Sequence, residues 1–225
     1  MRVTIITDRI TDNLGSKINE YLTSCVQQNK FAGTVLIAHD GKILFKNAYG
    51  MADNERKILN KIETKFKIAS VTKQFTAVAI MILQEKSLLN VHDKISKYIP
   101  NYPNGDKITI HHLLTHSSGV FNYTLLEDYP NLAKNLVSLD DILNLFKDKP
   151  LDFEIGTKFS YSNSGYVLLT SIIENISGVS YEEFLNQNIF NPIGMNNSGC
   201  YHNEKPPIND SIGYTLSETA TIIKH

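Results

Sequence analysis

The stretch after Ser70 limits this chain most. Phe75, Val78, Ala79, Met81, Ile82 and Leu83 recur at helical spacing and leave little of that helix's girth polar. A helix apolar on so many sides has to be wrapped by other elements, so a central, buried helix is expected. The composition permits such a core: 225 residues, 42% hydrophobic and 20% charged, enough for one large domain and against global disorder. Lys+Arg at 22 and Asp+Glu at 23 nearly cancel, and no basic stripe points to nucleic acid. No apolar run approaches the roughly 18–20 residues of a membrane span. The opening, Met1 to Arg9, loses its hydrophobicity too early for a signal peptide, so a cytoplasmic location is expected. Two cysteines, Cys25 and Cys200, are too few for a disulfide framework and lack metal-ligand spacing.

Around that helix the chain reads as an α+β fold, with an antiparallel sheet flanked by helices. Ile18, Tyr21, Leu22, Cys25 and Val26 form one stripe of an amphipathic first helix, with Cys25 as a small core residue. Thr34–Ala38 and Ile43–Phe45 flank His39-Asp40-Gly41-Lys42, whose Asp-Gly pair accepts the positive φ angles of a tight hairpin turn. Prolines 100, 103, 130 and 150 break the next segment into short helices, read as a helical lobe at about 85–160 within a single 1–225 domain. Thr109 and the Ser138…Asp141 pair mark two helix starts there. A second strong helix follows Asn163, carried by Val167, Leu168, Ile172, Ile173 and Ile176 and stopped by Gly178. Ser180 and Glu183 cap one more short helix, and the last thirty residues are weakly patterned.

Three constellations could carry chemistry. In Ser70-Val71-Thr72-Lys73 the lysine lies one helical turn beyond the serine on the same face, so its amine can reach the hydroxyl and help make it a nucleophile. At this serine and lysine content about one such spacing arises by chance, and an N-capping serine followed by a solvated lysine fits it too. In Tyr161-Ser162-Asn163 a phenol beside an ammonium ionises more easily and can act as general base, while a carboxamide can position substrate and lysine. The same spacing recurs at Tyr102, Tyr129 and Tyr201, and Asn163 could be a plain helix cap. His116-Ser117-Ser118-Gly119 invites a Ser-His triad, yet no G-x-S-x-G elbow is present and Ser-Ser-Gly reads as a helix stop, which makes His116 structural. His111, His112 and His116 do not share a helix face suited to a metal, and there is no Gly-rich phosphate loop.

Four runs in order resemble the serine β-lactamase and penicillin-binding protein superfamily, in its branch of class C β-lactamases, D-Ala-D-Ala carboxypeptidases and esterases. They are Phe66–Lys73, Leu113–Gly119, Phe159–Tyr166 and Pro192–Met195, within a stretch from Phe31 to Met195 that covers about three-quarters of the chain. The resemblance implies Ser70 as acylated nucleophile, Lys73 as its proton partner, Tyr161 as general base and Asn163 as a positioning, substrate-binding residue. For His116 and Gly119 it implies only a turn near the site. No K-T-G or H-x-G follows Asn163, although His39-Asp40-Gly41 matches by coincidence ahead of the nucleophile. That absent strand would also supply an oxyanion donor to partner the Ser70 N–H. The expectation is therefore a C-terminally truncated member with an incomplete sheet. The implied function is a serine hydrolase working through an acyl-enzyme on a β-lactam, D-amino-acid peptide or small ester. The alternative is a catalytically silent binding or scaffold protein. No cofactor or metal is implied, the partner is a small-molecule or peptide substrate, and unpaired sheet edges offer a route to self-association.

Overall fold

The computed structural model describes residues 4–133, 138–201, 210–216 and 222–224. The fold is α+β: among the described residues the strands pair as separate two-stranded antiparallel ladders beside the helices, so the sheet is incomplete. Two compact units divide the chain: Met1–Lys67 with Tyr201–His225, and Ile68–Cys200.

In the first unit, helix α1 (Thr4–Gln27) packs on a hairpin of β1 (Gly33–His39) and β2 (Lys42–Tyr49). The hairpin runs in register from Gly33 opposite Tyr49 to His39 opposite Lys42, apart from a bulge at Ile37/Ala38. Its turn carries φ +49° at Asp40 and +73° at Gly41, the geometry that the Asp-Gly pair predicts. Two further ladders pair β3 (Met51–Asp53) with β4 (Ile58–Leu59) and β5 (Tyr214–Leu216) with β6 (Ile222–Lys224). The Asp53 carboxylate closes the β3–β4 turn by accepting from the Glu55 and Arg56 amides, each at 2.9 Å. Tyr21 is a correction to the predicted stripe: it is 69% exposed, whereas Ile18, Leu22, Cys25 and Val26 are half-buried. It lies one residue off the stripe's centre, and a phenol tolerates water there.

The second unit is helical among its described residues. A 3₁₀ turn at Ala69–Val71 leads into α2 (Thr72–Glu85), so Ser70 precedes the α-helix rather than occupying its first turn. Short helices follow: α3 (Ile110–Leu114), α4 (Tyr129–Leu132) and α5 (Leu139–Asn144). Thr109 and Ser138 cap α3 and α5 with their hydroxyls, as their sequences predict. Helix α6 (Asn163–Ser177) ends on Gly178 at φ +72°, and α7 (Tyr181–Leu185) continues into a π turn over Asn186–Phe190.

The hub of this unit is α6, not α2. Helices α2, α3, α5 and α7 all pack on it, and Leu168, Leu169, Ile172 and Ile173 are wholly buried. Each such side chain contributes about 1.5–3 kcal/mol of transfer free energy. By contrast α2 buries Thr76, Ala79, Ile80 and Leu83 on one side, while Val78 and Met81 are nearly half exposed. The expectation of an α2 buried all round is corrected on this point. Among the described residues the neighbouring helices cover one face only, and the apolar residues at the i+2 offset from Thr76 and Ala79 point away from it.

Candidate active site

The groups of the site come from three places in the helical unit. Ser70 and Lys73 arrive from the turn into α2, Tyr161 and Asn163 from the entry to α6, and the loop after α3 holds that entry in place. Ala69 adopts φ +44°, a left-handed conformation that costs an ordinary residue of order 1–3 kcal/mol. The chain direction therefore changes just before Ser70, whose hydroxyl faces Lys73 one turn on.

At the N-terminus of α6 the cap is Ser162, not Asn163. The Ser162 Oγ accepts from the Gly165 amide at 3.4 Å and donates to the Val120 carbonyl at 3.1 Å. Asn163 is thereby released from capping. Its Oδ1 accepts from Lys73 Nζ at 2.7 Å and its Nδ2 donates to Thr124 Oγ1 at 3.1 Å. Asn122, buried, completes this relay: its Oδ1 accepts from the Asn163 amide at 3.2 Å and from the Thr124 hydroxyl at 3.1 Å. Gly119 lets the loop pass close to its neighbour. At φ +73°, a side chain there would meet the Phe153 carbonyl oxygen at 2.4 Å.

These supports bring four side chains together. The Ser70 Oγ accepts from Tyr161 OH at 2.7 Å and from Lys73 Nζ at 3.2 Å. Lys73 also stands 4.8 Å from the Tyr161 ring centroid and 5.4 Å from that of Tyr166. Burial alone would raise the Tyr161 phenol. The Lys73 ammonium and the Ser70 hydroxyl outweigh it by hydrogen bonding and charge, so its pKa is held below the ordinary value of 10. The arrangement is one in which a hydroxyl can lose its proton to an adjacent phenolate while a fixed ammonium steadies the negative charge.

All four residues singled out in the sequence converge, although Tyr161 and Ser70 are 91 positions apart. Asn122, Thr124 and Tyr166 were missed. No short spacing announces them: Asn122 and Thr124 meet Asn163 across about forty residues, and Tyr166 meets the Leu114 carbonyl and Lys73 across still more of the chain. Among the described residues no helix is long and apolar enough to cross a membrane.

Fold and site define a class, and the chain belongs to the Beta-lactamase family, whose sequence model matches residues 18–222. It is 37% identical over 184 residues to penicillin-binding protein 4* of Bacillus subtilis, covering 80% of this chain and 40% of that protein. The solved penicillin binding protein of Bacillus halodurans superposes with a TM-score of 0.78 at 33% identity, over 90% of this chain and 64% of that one. EstCE1, described as a hydrolase with promiscuous acyltransferase activity, superposes with a TM-score of 0.81 at 25% identity, over 98% of this chain and 60% of that one. The chain spans about half the length of the curated relatives it matches, from 40% to 50%.

Proposed function

We propose that this chain carries the acylation centre of a serine hydrolase acting on a β-lactam, a D-amino-acid peptide or a small ester. In this reading the Ser70 Oγ attacks the carbonyl carbon and its proton passes to the Tyr161 phenolate. The carbonyl then re-forms as the bond to the leaving nitrogen or oxygen breaks, and that atom takes the proton from Tyr161. Water, activated by the same phenolate, hydrolyses the Ser70 ester and restores the hydroxyl. Lys73 stabilises the phenolate by charge, and Asn163 fixes the lysine and offers its amide to the substrate.

One observation carries this reading: the Ser70 Oγ lies within hydrogen-bonding distance of both Tyr161 OH and Lys73 Nζ, at 2.7 and 3.2 Å. The relatives, named as penicillin-binding proteins and as a hydrolase with acyltransferase activity, support the same chemistry. The test is incubation with a fluorescent penicillin and, separately, a fluorophosphonate, followed by intact mass and peptide mapping. A single adduct on Ser70, absent from Ser70→Ala, is expected. An adduct elsewhere would overturn the assignment, and no adduct with either probe would favour a protein that binds without acylation.

A further inference from the structure

His116 does more around Tyr161 than terminate a helix. Its carbonyl oxygen accepts from the Ser160 amide at 2.8 Å, and its Nδ1 accepts from the Ser162 amide at 3.2 Å. The two residues flanking Tyr161 are thus tied to one histidine, by backbone on one side and by ring on the other. The ring itself lies 4.6 Å from the Tyr161 ring and 5.1 Å from that of Tyr166, both at interplanar angles near 35°, with Phe159 edge-on at 5.7 Å. An acceptor Nδ1 requires the neutral imidazole with its proton on Nε2. Protonation would place an N–H at Nδ1, facing the Ser162 N–H, and a second cation beside Lys73.

We propose that His116 is the positioning residue for Tyr161, holding the phenol on Ser70 only while its imidazole is neutral. This rests on the assignment of Ser70 and Tyr161 as the acylating pair. The rings of Tyr161, from the entry to α6, and Tyr166, from α6 itself, face the imidazole, and the Lys73 ammonium of α2 is the charge that acts on it. Burial first, and then the Lys73 charge, favour the neutral form and set the His116 pKa below 6.5. Acylation should therefore fall with acid in a step that belongs to neither Tyr161 nor Lys73.

The experiment measures the rate of Ser70 labelling by a fluorophosphonate between about pH 5 and about pH 9. It compares wild type, H116N and H116F. Asparagine keeps an acceptor, tolerates the φ of +56° at this position and cannot take a proton here. Phenylalanine keeps the stacked ring and loses the acceptor. Wild type is expected to slow as pH drops through the His116 step. H116N loses that step with most of the neutral-pH rate retained, and H116F is about tenfold or more slower at every pH with no step. Saturation binding of the probe should stay within about threefold across the three proteins, because the effect is on orientation. An acid step at the same midpoint in both variants would overturn the proposal.

Histidine ¹⁵N resonances of wild type give a readout independent of labelling and of how the variants fold. The Nε2–H tautomer is expected, with the Ser162 amide and Tyr161 ring resonances moving at the His116 midpoint. A His116 titration that leaves both unmoved sinks the proposal even if Ser70 labels normally. Absent labelling of wild type would instead sink the acylation reading while these resonances still decide the role of His116.

Discussion

At the scale of single residues, each member of the site is held by at least one partner outside its own helix, and this decides what a substitution removes. Tyr161→Phe deletes the phenol and leaves the ring against His116, so fold and probe binding should persist. The acylation rate should drop by about 10²–10⁴, as expected for loss of a positioned general base; stopped labelling time courses check this. The pH dependence carries a sign. A phenolate base works when deprotonated, so labelling should rise as pH climbs through the Tyr161 pKa, which lies below 10 because Lys73 and Ser70 outweigh burial. Removing the charge with Lys73→Met should move that limb upward, in a profile taken over the alkaline range. Ser70-Lys73 and Tyr161-Asn163 were legible because each pair is local, within one helical turn or one loop. Asn122 and Thr124 were not. Their importance comes from contact across about forty residues of chain, and local spacing holds no trace of such a contact.

At the scale of elements, the start of α6 is tied down by residues of the loop after α3. Ser162 caps it, Asn122 takes the next amide and the Tyr123 amide donates to the buried Ser164 hydroxyl at 3.0 Å. Ser162→Ala removes both the cap and the bond to the Val120 carbonyl, so it should destabilise the protein by about 1–2 kcal/mol. Gly119→Ala should do worse, since the new methyl meets a backbone oxygen at 2.4 Å in a conformation unfavourable to L-residues. Urea denaturation of the two variants against wild type measures both, and Gly119→Ala unfolding at the wild-type midpoint would contradict the loop geometry. Capping signals were the most readable feature of the sequence. Thr109, Ser138, Gly178 and Ser180 all act at the positions their spacing indicates, because a cap is satisfied within four residues. The hub was less readable. Apolar width suggested α2, but width records how much surface could be buried, and only the neighbours decide how much is buried.

On the scale of the whole molecule, apolar surface remains in view. Leu36 and Ile43 on the β1–β2 hairpin are 57% and 62% exposed, and Val78 and Met81 of α2 are also uncovered. Strands with unpaired edges and apolar faces favour association with further chains. Sedimentation velocity should show concentration-dependent self-association at tens of micromolar, an order-of-magnitude range for weak interfaces. The double substitution Leu36→Lys and Ile43→Lys should shift the chain toward monomer, and an unchanged distribution would locate the contact elsewhere. Ser70, Lys73, His116, Asn122, Tyr161 and Asn163 all fall between Ile68 and Cys200, in a single compact unit. Under the reading proposed above, every group that activates Ser70, or positions those that do, therefore stands or falls with the folding of that one unit.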